Sequence, residues 1–236
     1  MLKANLLTKL KLAKDAMQFD FELPVGELLF KPGQFLSIKL PKVRTQGDEG
    51  NVRYFSVASS PAETKKFSIA TRLTSSAFKQ ALFGMNLGEE VEVGGVGGDM
   101  ILPEATEQPL VFLAGGIGIT PFMSILSYSQ FRQTDHNITL LYSNRNRASA
   151  IYLDELGKIA EDSPNFRLIT TMTDDEYWPG EKRPIDHEFI KAYIESYKAA
   201  KYLVAGPAAF ALAMANNFDR LGITKEHFIL EEFFGY

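Results

Sequence analysis

The stretch Val111–Leu126, VFLAGGIGITPFMSIL, restricts the fold more than any other part of the chain. Four apolar residues run into Gly115-Gly116-Ile117-Gly118, a proline follows at 121, and apolar positions then resume in a different pattern. A buried strand, a tight glycine turn and a helix whose first turn accepts proline together make the opening of a βαβ unit. Backbone at such a turn approaches a ligand closely, and the free N–H groups and positive dipole end of the helix suit a pyrophosphate. The same turn also serves as a plain tight connection, and Pro121 does not fit the third glycine of a G-x-G-x-x-G fingerprint. A Walker loop is excluded by the missing Gly-Lys-Ser/Thr.

The surrounding pattern divides the 236 residues into two predicted domains, 1–104 and 105–236. In the first, Leu10 and Leu12 alternate with lysines, and Phe19, Phe21 and Leu23 alternate with Asp20 and Glu22. Strand signals continue at Gln34–Leu40, Arg53–Ala58, Phe67–Arg72 and Glu89–Val93, separated by turn chemistry at Pro24–Gly26, Pro32-Gly33 and the polar Thr45–Asn51 stretch. Short strands at this spacing predict a small antiparallel β-barrel. After Pro103–Pro109 the pattern alternates strands with helices. The strands are Leu110–Ala114, Ile138–Tyr142, Phe166–Thr171, Lys201–Ala205 and Phe228–Leu230; the helices are Phe122–Gln133, Ile151–Glu161, Asp186–Tyr197 and Ala208–Leu221, the last capped by Gly222. That alternation predicts an α/β doubly wound parallel sheet.

Composition excludes several classes of function. No cysteine is present and the three histidines are scattered, which argues against disulfides, thiolate zinc, cysteine-held iron–sulfur clusters and a histidine metal site. No apolar run approaches the roughly 20 residues of a membrane-spanning helix, so no membrane partner is expected. A net charge of −4 speaks against nucleic acid. The amino terminus, MLKANLLTKLKLAKD, lacks the apolar core and cleavage site of a secretory signal, which reads as cytoplasmic.

A second constellation lies at Val52–Pro61. Residues two apart on a strand share a face, so Arg53 and Phe55 point one way and Tyr54 and Ser56 the other, giving either a phosphate clamp beside an aromatic wall or an exposed arginine beside core aromatics. Arg72 ends a later strand, and Thr74-Ser75-Ser76-Ala77-Phe78-Lys79 follows it with hydroxyls and N–H donors at a helix start.

In this order the motifs resemble the ferredoxin–NADP reductase superfamily, whose members pair a flavin-binding barrel with a nicotinamide-nucleotide-binding α/β domain. Arg53-Tyr54-Phe55-Ser56 is similar to that family's Arg-x-Tyr-Ser flavin motif, and Ser76–Lys79 through Gly94–Leu102 resembles the flavin-phosphate segment and its glycine-rich close. Gly115–Pro121 resembles the pyridine-nucleotide loop, and Ala205-Gly206-Pro207 stands where Cys-Gly-x-Pro or a near variant is common. The resemblance implies FAD, with FMN as the alternative, and NADPH or NADH as co-substrate. It implies Arg53 on the flavin pyrophosphate, Phe55 against the isoalloxazine, Ser56 at the flavin N5, and Arg72, Ser75, Ser76 and Ala77 on the phosphates. Gly115, Gly116, Gly118 and Thr120 would cradle the dinucleotide, with Ala205, Gly206 and Pro207 beside the nicotinamide. Ala205 in place of cysteine removes a polarizable sulfur near the reacting carbon, so slower or looser hydride transfer is expected. Phe233 and Tyr236 resemble terminal aromatics that cover the flavin or its adenine, or are simply a last strand and its tail.

Arg145 and Arg147 suit a 2′-phosphate and lean towards NADPH, whereas Asp174 and Asp175 oppose it. A hydride carries two electrons while iron–sulfur proteins and haems take one, and a flavin bridges the two. The expected acceptor is a separate ferredoxin, flavodoxin or oxygenase component. A free-flavin reductase and a flavin-binding electron-transfer or regulatory subunit without productive NAD(P)H oxidation are the alternatives.

Overall fold

The computed structural model describes residues 1–41, 50–104 and 107–233. Part of the polar Thr45–Asn51 break, the expected boundary at 105 and Tyr236 therefore lie outside the described residues. The chain forms two compact units. Of the described residues, the first holds Met1–Leu102 and the helical segment Thr120–Phe131; the second holds Pro103–Ile119 and residues 132–233.

In the first unit, six strands form one antiparallel sheet: β1 (Leu2–Lys11), β2 (Ala16–Glu22), β3 (Phe35–Lys39), β4 (Val52–Ser56), β5 (Lys66–Arg72) and β6 (Glu90–Gly97). Their order is β4-β3-β6-β1-β2-β5, and a bridge between Val57 and Ile69 joins the two ends into a barrel. The period-2 pattern of the aromatic run drives this. Phe19 and Phe21 on β2 pair with Ile69 and Phe67 on β5, and all four are buried. The rings of Phe21 and Phe67 stack at 5.2 Å.

One alternation reads differently in the structure. Leu10, expected to share a face with Leu12, is 53% exposed, because a register shift between Leu6 and Thr8 redirects the second half of β1. Lys9 instead donates its ammonium to the carbonyls of Phe83 (2.7 Å) and Met85 (2.8 Å), at the end of α1 (Ala77–Gly84). The barrel unit also holds most of α2 (Thr120–Arg132), where the Ser124 hydroxyl donates to the Ser59 carbonyl at 2.7 Å.

The second unit is a five-stranded, wholly parallel sheet of β7 (Leu110–Gly115), β8 (Ile138–Asn144), β9 (Phe166–Met172), β10 (Lys201–Pro207) and β11 (Phe228–Phe233). The order β11-β10-β7-β8-β9 is the doubly wound arrangement, with strand order reversing between β7 and β10. The crossovers include α3 (Leu153–Asp162), α4 (His187–Tyr193) and α5 (Ala208–Leu221). Val111 and Leu113 on β7 and Tyr202 and Val204 on β10 pack with Phe189, Met214 and Phe218 of the helices. Gly222 ends α5 at φ 68°, as its sequence position requires. Helix α4 stops at Tyr193, four residues short of the expected end. Asp186 caps its start through the Phe189 N–H, whereas the chain beyond Ile194 turns and the Tyr197 carbonyl accepts from the Tyr202 hydroxyl.

Candidate functional site

In the barrel unit, Arg53 and Phe55 of β4 gather around the start of α1. The Arg53 guanidinium lies 5.6 Å from the Phe78 ring centre, and the Phe55 and Phe78 rings are 5.9 Å apart. Phe55 is 8% exposed and belongs to the barrel core, whereas Tyr54 is 65% exposed and meets Phe35 edge-on. Ser56 is buried beside Phe55.

The beginning of α1 is electrostatically unusual. Ser76 occupies the N-cap position with extended backbone, yet its hydroxyl caps nothing and is a buried oxygen without a partner among the described residues. The first turn carries no acidic residue, and its third helical position is Lys79. A cation there opposes the helix dipole. Lys79 is 7% exposed, and its ammonium is held below the usual lysine range, first by burial and second by the Arg53 charge beside it. Two cations, the positive end of a helix and the Ser76 hydroxyl thus converge, a setting that suits a polyanion such as a pyrophosphate. The residues present therefore fit a flavin dinucleotide.

The Nη1 of Arg72, at the end of β5, donates to Asp15 Oδ1 at 2.7 Å, an ion pair that uses part of the guanidinium's five N–H donors. Ser75 and Ala77 flank Ser76 and are exposed.

In the second unit, the glycine turn and Ala205-Gly206 meet at the carboxyl ends of β7 and β10, where the strand order reverses. This is the crevice in which open α/β sheets bind ligands. Two of the turn's glycines, and Gly206 on β10, have packing reasons. A Cβ on Gly118 would lie 2.1 Å from the Ala205 carbonyl oxygen, and a Cβ on Gly115 or Gly206 would meet the Phe210 ring at 2.8 or 2.9 Å. Gly116 differs: its φ is 54° and nothing lies within 4 Å of a Cβ there, so the side of the backbone where a Cβ would stand is open. Ala205 is fully buried, Thr120 opens α2 at 1% exposure, and Pro207 pairs with Phe233 at the end of β11.

At the end of β8, Asn144 is 6% exposed and neither carboxamide atom has a partner among the described residues. An amide buried without partners is costly and suits a ligand with hydroxyls. Arg145 is exposed. Arg147 is drawn to Asp154 (2.9 Å) and donates its backbone N–H to Asp175 Oδ2 (3.2 Å), while the Asp174 N–H donates to the Arg145 carbonyl. The two guanidiniums and the two β9-end carboxylates therefore share one rim.

Sequence reasoning gave no role to Asn144 or Phe210, and it named Phe78 and Lys79 only within the Ser76–Lys79 segment. Lys79 had a signal, a cation between apolar helix positions Phe78 and Leu82, but the pairing with Arg53 needed the fold. Among the described residues no group of three or more possible metal ligands occurs, and no helix is long and apolar enough to cross a membrane.

Comparison with known proteins agrees with this arrangement. Residues 3–101 match the family of oxidoreductase FAD-binding domains and residues 112–216 that of oxidoreductase NAD-binding domains. The chain is 27% identical to a flavohemoprotein of Oceanobacillus iheyensis over 97% of its own length and 58% of the relative's. It is 28% identical to the glycine betaine monooxygenase reductase subunit of Chromohalobacter salexigens over 86% of its length and 56% of the relative's. The chain thus spans somewhat over half the length of these relatives. The FAD/NAD-binding domain of a Vibrio cholerae nitric oxide dioxygenase superposes with a TM-score of 0.86 at 16% identity, covering 98% of both chains. A Neisseria gonorrhoeae ferredoxin NADP+ reductase with bound FAD and NADP superposes at 0.79 with 21% identity, covering 98% of this chain and 97% of that one. With two family matches in tandem across most of its length, the chain belongs to the ferredoxin–NADP reductase superfamily, as an FAD-binding domain followed by an NAD-binding domain.

Proposed function

We propose that the chain is a reductase that takes a hydride from NADH or NADPH onto FAD and delivers electrons singly to a separate ferredoxin, flavodoxin or oxygenase component. The observation that carries this reading is the convergence of Arg53, Lys79 and the unused Ser76 hydroxyl at the start of α1. FAD, when bound, supplies the chemistry of accepting an electron pair and releasing it one electron at a time.

The chain's residues bind and orient. Arg53, Lys79, Ser76 and the first N–H groups of α1 hold the pyrophosphate, with Ser75 and Ala77 beside them. Phe55 and Phe78 keep water from the flavin side of the barrel, and the Ser56 hydroxyl serves the flavin N5. In the second unit Gly116 opens the backbone to the dinucleotide phosphates, and Gly115, Gly118, Ala205, Gly206 and Pro207 shape the crevice, while Thr120 opens the helix that follows the glycine turn. Phe233 borders it through its pairing with Pro207. The charges near Asn144 favour a neutral ribose over a 2′-phosphate, because Asp154 and Asp175 engage Arg147, and Asp174 sits beside Arg145. NADH is therefore the preferred donor, which reverses the lean of Arg145 and Arg147 read alone.

These residues hold no cysteine, so an iron–sulfur module would lie outside them. The test is the stoichiometry and acceptor preference of NADH oxidation by the FAD-loaded protein. Reduction of a one-electron acceptor protein or cytochrome at two equivalents per NADH is expected. Turnover only with added free flavin would replace this reading with that of a flavin reductase.

A further inference from the structure

Tyr142 stands near the end of β8, fully buried, and is absent from the roles assigned above. Its hydroxyl lies 3.2 Å from the Gly116 carbonyl and 3.2 Å from the Ile151 carbonyl. One O–H therefore serves two segments far apart in sequence. Each segment carries a left-handed residue at that point: Gly116 itself at φ 54°, and Tyr152, whose peptide bond begins with the Ile151 carbonyl, at φ 58°. Gly116 is the open residue of the phosphate-facing turn, and Tyr152 begins α3 after the Asn144–Ala150 rim. A tyrosine at positive φ is strained backbone, which persists only where its surroundings fix it.

We propose that Tyr142 is a positioning residue for the dinucleotide: its hydroxyl sets the phosphate-facing turn and the Ile151–Tyr152 peptide as one preformed surface for the adenosine-pyrophosphate half. The inference rests on the nucleotide-site reading of the second unit. It leaves flavin binding and the hydride step to other residues.

The experiment compares the FAD-loaded wild type with Tyr142→Phe, which keeps the ring and removes only the hydroxyl, using ADP-ribose and reduced nicotinamide mononucleotide as probes. The Kd of ADP-ribose and the KM of NADH are expected to rise together by about five- to tenfold, roughly what one neutral hydrogen bond contributes to an equilibrium. The kcat and the response to the mononucleotide, which lacks the adenosine half, stay unchanged. An unchanged ADP-ribose affinity, or a fall in kcat at constant KM, overturns the proposal. A wild type that binds no ADP-ribose removes the nucleotide-site reading instead. Hydrogen exchange in the wild type gives a readout free of any folding defect in the variant. Segments 115–119 and 147–152 should slow together on adding ADP-ribose, and a response in one alone contradicts the shared clamp.

Discussion

Replacing Gly118 by alanine adds one methyl group where the fold has no room for it. The new Cβ would lie 2.1 Å from the Ala205 oxygen, 2.4 Å from the Ala205 carbonyl carbon and 2.7 Å from the Gly206 Cα. All three are backbone atoms of β10, so no side chain can rotate away. An ordinary carbon-to-oxygen contact is about 3.3 Å, which requires the end of β10 to move by roughly 1.2 Å. The paired strands β7 and β10 meet at Ala114 and Ala205, and their hydrogen bonds would stretch past useful length there. The expected cost is about 3–5 kcal/mol, at the upper end for overpacking because the obstacle is main chain. Gly116→Ala is the internal control: nothing lies within 4 Å of its Cβ, so only the left-handed φ of 54° is penalised, at about 1–2 kcal/mol. Urea unfolding followed by fluorescence of Trp178, the single tryptophan, reports on the second unit and gives both values at constant m. Gly118→Ala within about 1 kcal/mol of the wild type, or less damaging than Gly116→Ala, would refute the packing argument.

Other outcomes follow from the same geometry. Gly115→Ala should cost about 1–3 kcal/mol by displacing the Phe210 ring, and Phe210→Leu should recover part of that loss; a double-mutant cycle showing no coupling contradicts the contact. Lys79→Met should weaken FAD binding while stabilising the flavin-free protein, as read by flavin fluorescence titration and thermal unfolding. Because the folded fold lowers the Lys79 pKa, the unfolded chain binds the extra proton at pH values just below 10.5. Wild-type stability, relative to Lys79→Met, should therefore rise with pH through that window, and a flat or falling difference would remove the buried-cation argument. Lys9→Ala should cost about 1–2 kcal/mol by freeing the Phe83 and Met85 carbonyls at the end of α1, with the NADH KM unaffected.

The fold was legible wherever one residue decided it. The Val111–Leu126 run announced the first βαβ unit, and Gly222 marked the end of α5. Local patterns failed where a distant partner intervened. The shift between Leu6 and Thr8 that exposes Leu10 depends on the pairing of β1 with β2, and the early end of α4 depends on how the chain turns towards β10. The candidate site divides similarly. Arg53 and Gly116 could be singled out from the sequence because a guanidinium and a glycine at a strand-to-helix turn are local signals. The glycines at 115, 118 and 206 were read as close approach to a ligand, and the structure adds Phe210 and the Ala205 carbonyl as their immediate neighbours. The ion pair of Arg72 with Asp15, 57 residues away in sequence, was not legible, because it depends on the pairing of β2 with β5. Lys79 gains meaning from burial, Asn144 from an unpartnered carboxamide and Tyr142 from a shared hydroxyl, none of which a sequence displays.

The central claim is that the first unit binds a flavin, the second binds a nicotinamide nucleotide, and the nucleotide reduces the flavin. Anaerobic addition of NADH to the FAD-loaded protein, followed in the visible flavin band, tests it most directly. Bleaching by one equivalent of NADH, abolished in Arg53→Ala/Lys79→Met protein that no longer retains FAD, is the expected result. A tightly held flavin that stays oxidised under excess NADH and excess NADPH would contradict the account.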